Sequence, residues 1–185
     1  MRAIQSPLQD PEAFSDLYDR THLIIFRFIY GIHGGPIEEV EDLTCETYLR
    51  AWKARERFTG NKREALCWLF TIARRLVIDA HRHQEAQNTG VLIRLDDTNF
   101  ETLPAALQES PEEKAAAQDQ FAHLWSIFQR LAEDRREMLV LRYLLGWQVK
   151  EIAEFLEKEE NTVSVYIKRT LEQIRQAWSS DEGNQ

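Results

Sequence analysis

An all-α fold, two small helical domains joined by an acidic flexible linker, is what this 185-residue chain predicts, on three observations. Glycine and proline together fill only twelve positions, while strong helix formers such as Leu, Ala, Glu, Arg and Gln abound. Apolar residues recur at helical spacing and do not alternate over a strand's length. That periodicity lapses once, between residues 84 and 110, and then resumes. The expected division is a first domain over 1–85, an acidic linker over 86–120 and a second domain over 121–185.

The first helix is expected from about Pro11 to Tyr30, with Phe14, Leu17, Tyr18, Ile24, Ile25 and Phe28 as its buried stripe. Gly31, Gly34, Gly35 and Pro36 end it. A second helix, about Ile37 to Arg55, places Val40, Thr44, Thr47, Tyr48 and Ala51 on one side. Glu41, Asp42, Cys45, Glu46 and Leu49 fall towards the other. Phe58 to Lys62 is a break holding Gly60 and Asn61. A third helix, about Arg63 to His83, buries Leu66, Leu69, Ala73, Leu76 and Ala80 and turns Arg74, Arg75 and Arg82 outward.

In the linker, Gly90–Leu95 has strand-like composition but no partner strand, so an extended segment is expected. Fully extended, 35 residues reach roughly 115 Å. Ser110 as N-cap, Pro111 in the first turn and Glu113 completing a capping box restart helix. Phe121, Leu124, Trp125, Phe128 and Leu131 carry the stripe onward.

The formal net charge of -8 is unevenly spread. Residues 86–120 hold seven carboxylates against two cations, whereas residues 50–82 hold nine cations against three carboxylates. Phosphate contact is local and screened beyond roughly 8–10 Å, so the cationic stretch suits nucleic acid whatever the total. Cys45 and Cys67 are too few for a disulfide scaffold and are expected reduced, as in a cytoplasmic protein. No apolar run approaches the roughly 20 residues of a membrane span, and the opening MRAIQSPLQDPEAF lacks a signal peptide's apolar stretch. Membrane insertion is not expected.

Enzymatic readings find no support. His81 and His83, two residues apart, lie on different helix faces, and the cysteines form no CxxC pair. No GxGxxG, Walker A loop or nucleophile elbow is present. No catalytic residue, metal or cofactor is expected.

The strongest signal runs from Leu131 to Arg175: LAEDRREMLVLRYLLGWQVKEIAEFLEKEENTVSVYIKRTLEQIR. Two apolar-periodic helices, a break and a third helix mixing hydroxyls, an aromatic and cations are how a helix-turn-helix looks in sequence. The third helix should begin near Glu160, with Asn161 and Thr162 capping it and freeing N–H groups for a phosphate. Val163, Ile167, Leu171 and Ile174 form the expected inward seam, leaving Ser164, Val165, Tyr166, Lys168 and Arg169 for the groove or its flanks. A plain bundle helix would share this pattern. Upstream, Phe58, Trp68 and Phe70 lie among cations, a composition suited to unstacked bases. An aromatic stripe is more often core, so the cations are the better candidates.

These residues resemble bacterial RNA polymerase sigma factors of the extracytoplasmic-function group. Val40–Trp52 (VEDLTCETYLRAW) looks like the segment that docks on the polymerase clamp helices, and Ala65–His83 (ALCWLFTIARRLVIDAHRH) like the −10 reader. Leu131–Arg175 aligns without a gap to the −35 reader. The resemblance implies a non-enzymatic promoter-specificity subunit working in the bacterial cytoplasm. Asp42, Glu46 and Leu49 would bind polymerase. Phe58, Asn61, Lys62, Arg63, Arg74, Arg75 and Arg82 would bind −10 DNA. Asn161, Thr162, Ser164, Val165, Tyr166, Lys168 and Arg169 would bind −35 DNA. The partners implied are core RNA polymerase, through its clamp helices and flap, promoter DNA and an anti-sigma factor. The alternative is a sigma-mimicking regulator that binds anti-sigma factors without promoter activity.

The chain departs from the family pattern in several places. Cys45 stands where Gln is usual, Arg75 where Asn is usual, and Glu157-Lys158 where the turn usually has Gly-Ile. Glu157 in a left-handed turn would cost roughly 1 kcal/mol, which predicts a reshaped turn. Ser164 and Leu171 occupy positions where cations are common.

Overall fold

The computed structural model describes residues 8–87 and 111–182, all of whose regular elements are helical. By packing, the chain divides into two compact units, Met1–Asp96 and Asp97–Gln185. Most of the acidic bridge, with Gly90–Leu95 and Ser110, lies outside the described residues.

Unit 1 is three helices packed pairwise: α1 (Pro11–His33), α2 (Ile37–Ala54) and α3 (Lys62–Gln87). Asp10 caps α1 by accepting the Glu12 N–H at 3.3 Å, with Pro11 in the first turn where its missing N–H costs nothing. Gly31 does not end the helix. It is buried within the last turn, and α1 continues to His33. The stop is Gly34, left-handed at φ 72°, a conformation nearly free for glycine alone. On α2 the buried side is the expected one: Val40, Thr44, Thr47, Tyr48 and Ala51. The helix ends at Ala54, one residue short of expectation, in a 3-10 turn over Arg55–Arg57.

Aromatic edges hold the unit together. Phe28 of α1 meets Phe70 of α3 at 4.9 Å and 70°, and both rings are fully buried. Phe14 meets Trp52 at 5.1 Å and 74°. Tyr18, expected in the core, is exposed, but its ring still packs edge-on against Tyr48 at 4.8 Å. Tyr48 shares a buried 2.8 Å hydroxyl hydrogen bond with Thr21, and desolvation pushes its phenol above the ordinary range. On α3 the buried seam is Ala65, Leu69, Phe70, Ala73, Leu76 and Val77. Leu66 and Ala80 are only half-buried, because the seam follows the side shared by α1 and α2.

Unit 2 comprises α4 (Pro111–Gln129), α5 (Glu133–Leu139), a π-helical turn (Val140–Leu144), α6 (Val149–Phe155) and α7 (Glu160–Glu182). Ile127 and Leu131, Met138 to Leu141, Ile152, Ala153, Val163 and Ile167 make its core. Arg136 is buried and donates to the side-chain oxygen of Gln129; burial lowers its guanidinium pKa, with the Glu133 charge opposing. A reciprocal capping box starts α6: Gln148 side chain to backbone, and Glu151 Oε2 accepting the Gln148 N–H at 2.8 Å.

Candidate nucleic-acid interface

The first candidate surface is the start and outer side of α3. Asn61 Oδ1 accepts the N–H groups of Arg63 and Glu64 at 2.9 and 3.1 Å, while Glu64 Oε2 accepts the Asn61 N–H at 2.6 Å. This second capping box starts the helix at Lys62 and commits the Asn61 oxygen to the cap. Gly60 makes the loop possible: a Cβ there would stand 2.7 Å from Phe58 Cζ and 2.8 Å from Glu64 Cβ. The tightness lets Phe58 lie on Trp68, ring centroids 5.0 Å apart and 26° from parallel. One face of Phe58 is thus already occupied by its own protein.

Lys62 and Arg63 are exposed on the first turn of α3, and Arg75 and Arg82 further along it. Arg75 and Arg82 are two turns apart, about 10 Å along the axis, so both can follow one phosphate backbone. The exposed Asp79 sits between them in sequence, moderating the field. Arg74, expected outward, is half-buried, because it lies nearer the packed side.

On α2, Asp42 and Leu49 are exposed and Glu46 is half-buried. Glu46 accepts from Arg50 Nε at 2.7 Å, an i,i+4 pair at the surface. Such a pair contributes about 0.3–0.5 kcal/mol, little enough for a partner's cation to displace. Cys45 lies exposed on the same helix as a free thiol.

The second surface belongs to α7. The preceding turn keeps the helix-turn-helix geometry without glycine: Glu157 is left-handed at φ 53°, the one non-glycine residue with positive φ among those described. Lys158 N–H reaches Ala153 O at 2.9 Å and Glu157 N–H reaches Glu154 O at 3.4 Å, the paired bonds of a Schellman stop. The expected reshaping does not occur; the strain is carried. Helix α7 begins at Glu160, and Val163 N–H bonds Glu159 O at 3.1 Å. Asn161 and Thr162 therefore stand inside the first turn, not at the cap.

Val163 and Ile167 face the core as expected, joined by Thr170, whose hydroxyl bonds Tyr166 O at 2.7 Å. Leu171 is exposed, and Thr170 takes the inward place it was expected to fill. At 100° per residue, Asn161, Val165, Lys168 and Arg169 share the outward arc, and Ser164 is exposed on one flank. Tyr166 turns to the other flank. There Arg135 of α5 lies 5.8 Å from the ring centroid and donates to Gln173 Oε1 at 3.2 Å. Sequence reasoning missed Arg135, since nothing local marks a residue 31 positions upstream as a neighbour of Tyr166. It also missed His33, buried at the end of α1 between Glu39 and His81. Among the described residues no group of three or more His, Cys, Asp or Glu is placed to hold a metal ion. No described helix is long and apolar enough to cross a membrane.

The sigma-70 region 2 family model matches residues 17–87, and the sigma-70 region 4 model matches residues 123–174. Over 173 residues the chain is 32% identical to the ECF RNA polymerase sigma factor BldN of Streptomyces coelicolor. That match covers 93% of this chain but 62% of the relative, so the chain spans under two thirds of BldN's length. It is 30% identical over 159 residues to the ECF sigma factor SigL of Mycobacterium tuberculosis, covering 86% of this chain and 85% of SigL. Among solved structures, the sigma factor RpoE bound to the anti-sigma factor NepR from Bartonella quintana aligns with a TM-score of 0.69 at 17% identity. That alignment covers 92% of this chain and 99% of RpoE. CnrH, in complex with the cytosolic domain of CnrY, aligns with a TM-score of 0.66 at 21% identity, covering 95% and 94%. At those identities the structures establish the shared fold. With both family models in order on the two helical units and SigL matched over most of its length, this chain belongs to the ECF group of sigma-70 family RNA polymerase sigma factors.

Proposed function

We propose that this chain binds core RNA polymerase and directs promoter-specific initiation, with unit 1 reading the −10 element and unit 2 the −35 element. It is not an enzyme; its work is binding and positioning. The supporting observation is that the two matched family regions fall on separate units, each presenting exposed cations on one long helix.

Within that function, Asp42, Glu46 and Leu49 meet the polymerase clamp helices, and unit 2 meets the flap. Lys62, Arg63, Arg75 and Arg82 follow the −10 backbone, with Arg74 contributing from its half-buried place. Phe58 stacks a base only on the face that Trp68 leaves open, and Asn61 shapes the loop through its cap. In the −35 duplex, Asn161, Thr162 and Ser164 lie near the entry of α7, while Val165, Lys168 and Arg169 enter the groove. Tyr166 contacts the flank. The place of action is the bacterial cytoplasm. RpoE and CnrH are each solved with a partner bound, NepR and CnrY; by analogy this chain also has an anti-sigma factor.

Run-off transcription with purified core polymerase on genomic DNA tests this function. Specific start sites with a shared pair of elements are expected. A holoenzyme that never selects a start site would overturn it. Lys168→Ala with Arg169→Ala must abolish promoter use while sparing core binding; retained promoter use would remove α7 from the −35 contact.

A further inference from the structure

Beyond the two DNA surfaces, unit 1 contains a chain of polar side chains that the promoter function does not use. We infer that Glu39, His33 and His81 form a positioning relay that fixes the C-terminal half of α3, and with it Arg82, against the corner between α1 and α2.

His33 is the last residue of α1 and only 3% exposed. Its Nε2 lies 3.0 Å from Glu39 Oε2 in the first turn of α2, and its Nδ1 lies 3.1 Å from His81 Nε2 on α3. The imidazole planes differ by 16°, with centroids 5.1 Å apart. A ring radius added at each end of the 3.1 Å contact nearly accounts for that separation. The rings therefore meet end to end, lone pair towards N–H, and do not stack face to face.

With both imidazoles neutral, one proton arrangement satisfies both contacts. An ionised carboxylate at Glu39 only accepts, so His33 donates from Nε2. Neutral His33 then offers Nδ1 as an acceptor, and His81 must donate from Nε2. The His33–His81 hydrogen bond thus depends on the His33–Glu39 one: the carboxylate selects the His33 tautomer, and that tautomer receives His81. Gly35 leaves the room, since a Cβ there would stand 2.6 Å from His33 Nε2.

The location gives the relay its consequence. Among the described side chains of α3, Val77 is the last buried one, and none of residues 78–83 is buried. Apolar packing therefore holds the first half of the helix, whereas His81 ties down the half that carries Arg82. Releasing it frees Arg82 from its register with the DNA backbone while leaving the Phe28–Phe70 core in place. That consequence rests on the −10 function proposed above; the relay itself does not.

The experiment is a double-mutant cycle in the reconstituted holoenzyme, with Glu39→Leu removing the acceptor, Glu39→Gln retaining one, and Arg82→Ala removing the effector. Promoter binding is measured against salt, alongside affinity for core polymerase. Glu39→Leu should weaken promoter binding about as much as Arg82→Ala, each lowering the salt slope by about 0.9. The double variant should be no weaker than Arg82→Ala alone, and Glu39→Gln should recover most of the loss. Additive effects, or equal losses for Leu and Gln, would overturn the relay. Nitrogen-15 spectra of the wild-type imidazoles decide independently, even if Glu39→Leu fails to fold. Nε2–H tautomers at both His33 and His81 are expected, and an Nδ1–H tautomer at His33 would overturn the assignment. A wild-type holoenzyme without promoter selectivity would sink the −10 function, yet those tautomers would still judge the relay.

Discussion

Both units end a helix on a left-handed glycine, Gly34 and Gly146, but unit 2 also ends one on a residue that is not glycine. Unit 1 stops α1 with Gly34 at φ 72°, where glycine has no side chain to resist. Unit 2 stops α6 with Glu157 at φ 53°, at a cost of roughly 1 kcal/mol or a little more. The strained stop sits between the two helices of a helix-turn-helix, so its angle aims α7. The unstrained stop sits beside the buried corner where His33 meets Glu39 and His81. The paired bonds to Ala153 O and Glu154 O keep the strained turn in place although its residue type is wrong for it. The pairing of a residue with its turn is thus dispensable, while the turn's geometry is not.

A second contrast concerns what anchors α3 and α7. Helix α3 is held by large aromatic contacts near its start and by the His81 hydrogen bond near its end. Helix α7 is held by Val163, Ile167 and Thr170, by Arg135 reaching Gln173 from α5, and by Trp178 meeting His123 of α4 at 4.8 Å.

The largest test of this contrast is Phe70→Ala, which should destabilise unit 1 by about 3–5 kcal/mol and leave the melting of unit 2 in place. Two calorimetric transitions, one shifted, are expected; a joint shift would mean the units do not fold separately. Next, Lys168→Ala and Arg169→Ala should each weaken −35-dependent promoter binding by about 1–3 kcal/mol, measured in the holoenzyme at fixed salt. Smaller losses, below about 1 kcal/mol, would place those cations on the rim.

Alkali should act on unit 1 through Tyr48. Burial raises its phenol pKa in the folded state, so the stabilisation is intact below the ordinary value near 10 and is lost as pH rises above it. Above that point the unfolded chain releases a proton that the folded one keeps, and stability should fall by about 1 kcal/mol per pH unit. Denaturant titrations from pH 9 to pH 12 should show this slope, and Tyr48→Phe should flatten it. Smallest of all, Glu157→Gly should raise the stability of unit 2 by about 0.5–1 kcal/mol, strain relief exceeding the added chain entropy. A destabilised variant would show that Glu157 is not under strain.

Helical periodicity located most of this molecule. The buried side of α2 was readable residue by residue, because an amphipathic helix on a core repeats its apolar positions with the backbone's own period. The outward cations of α7 followed by the same logic. What failed was whatever depended on a neighbour distant in sequence. Tyr18, Leu124 and Leu171 share the period of core residues but are exposed. Arg74 and Leu66 shift by part of a turn because α3 packs against two helices at once.

By itself, then, the sequence determined the helices, their inner faces, the two-unit order and the family, because periodicity, capping residues and motif spacing are local properties that survive without a fold. Only the tertiary structure decided that Phe58 is stacked on Trp68, that Tyr166 turns towards Arg135, and that His33 is enclosed between Glu39 and His81. Each of those is a contact between side chains brought together by packing, and a buried polar group reveals its partner only when the core closes around it.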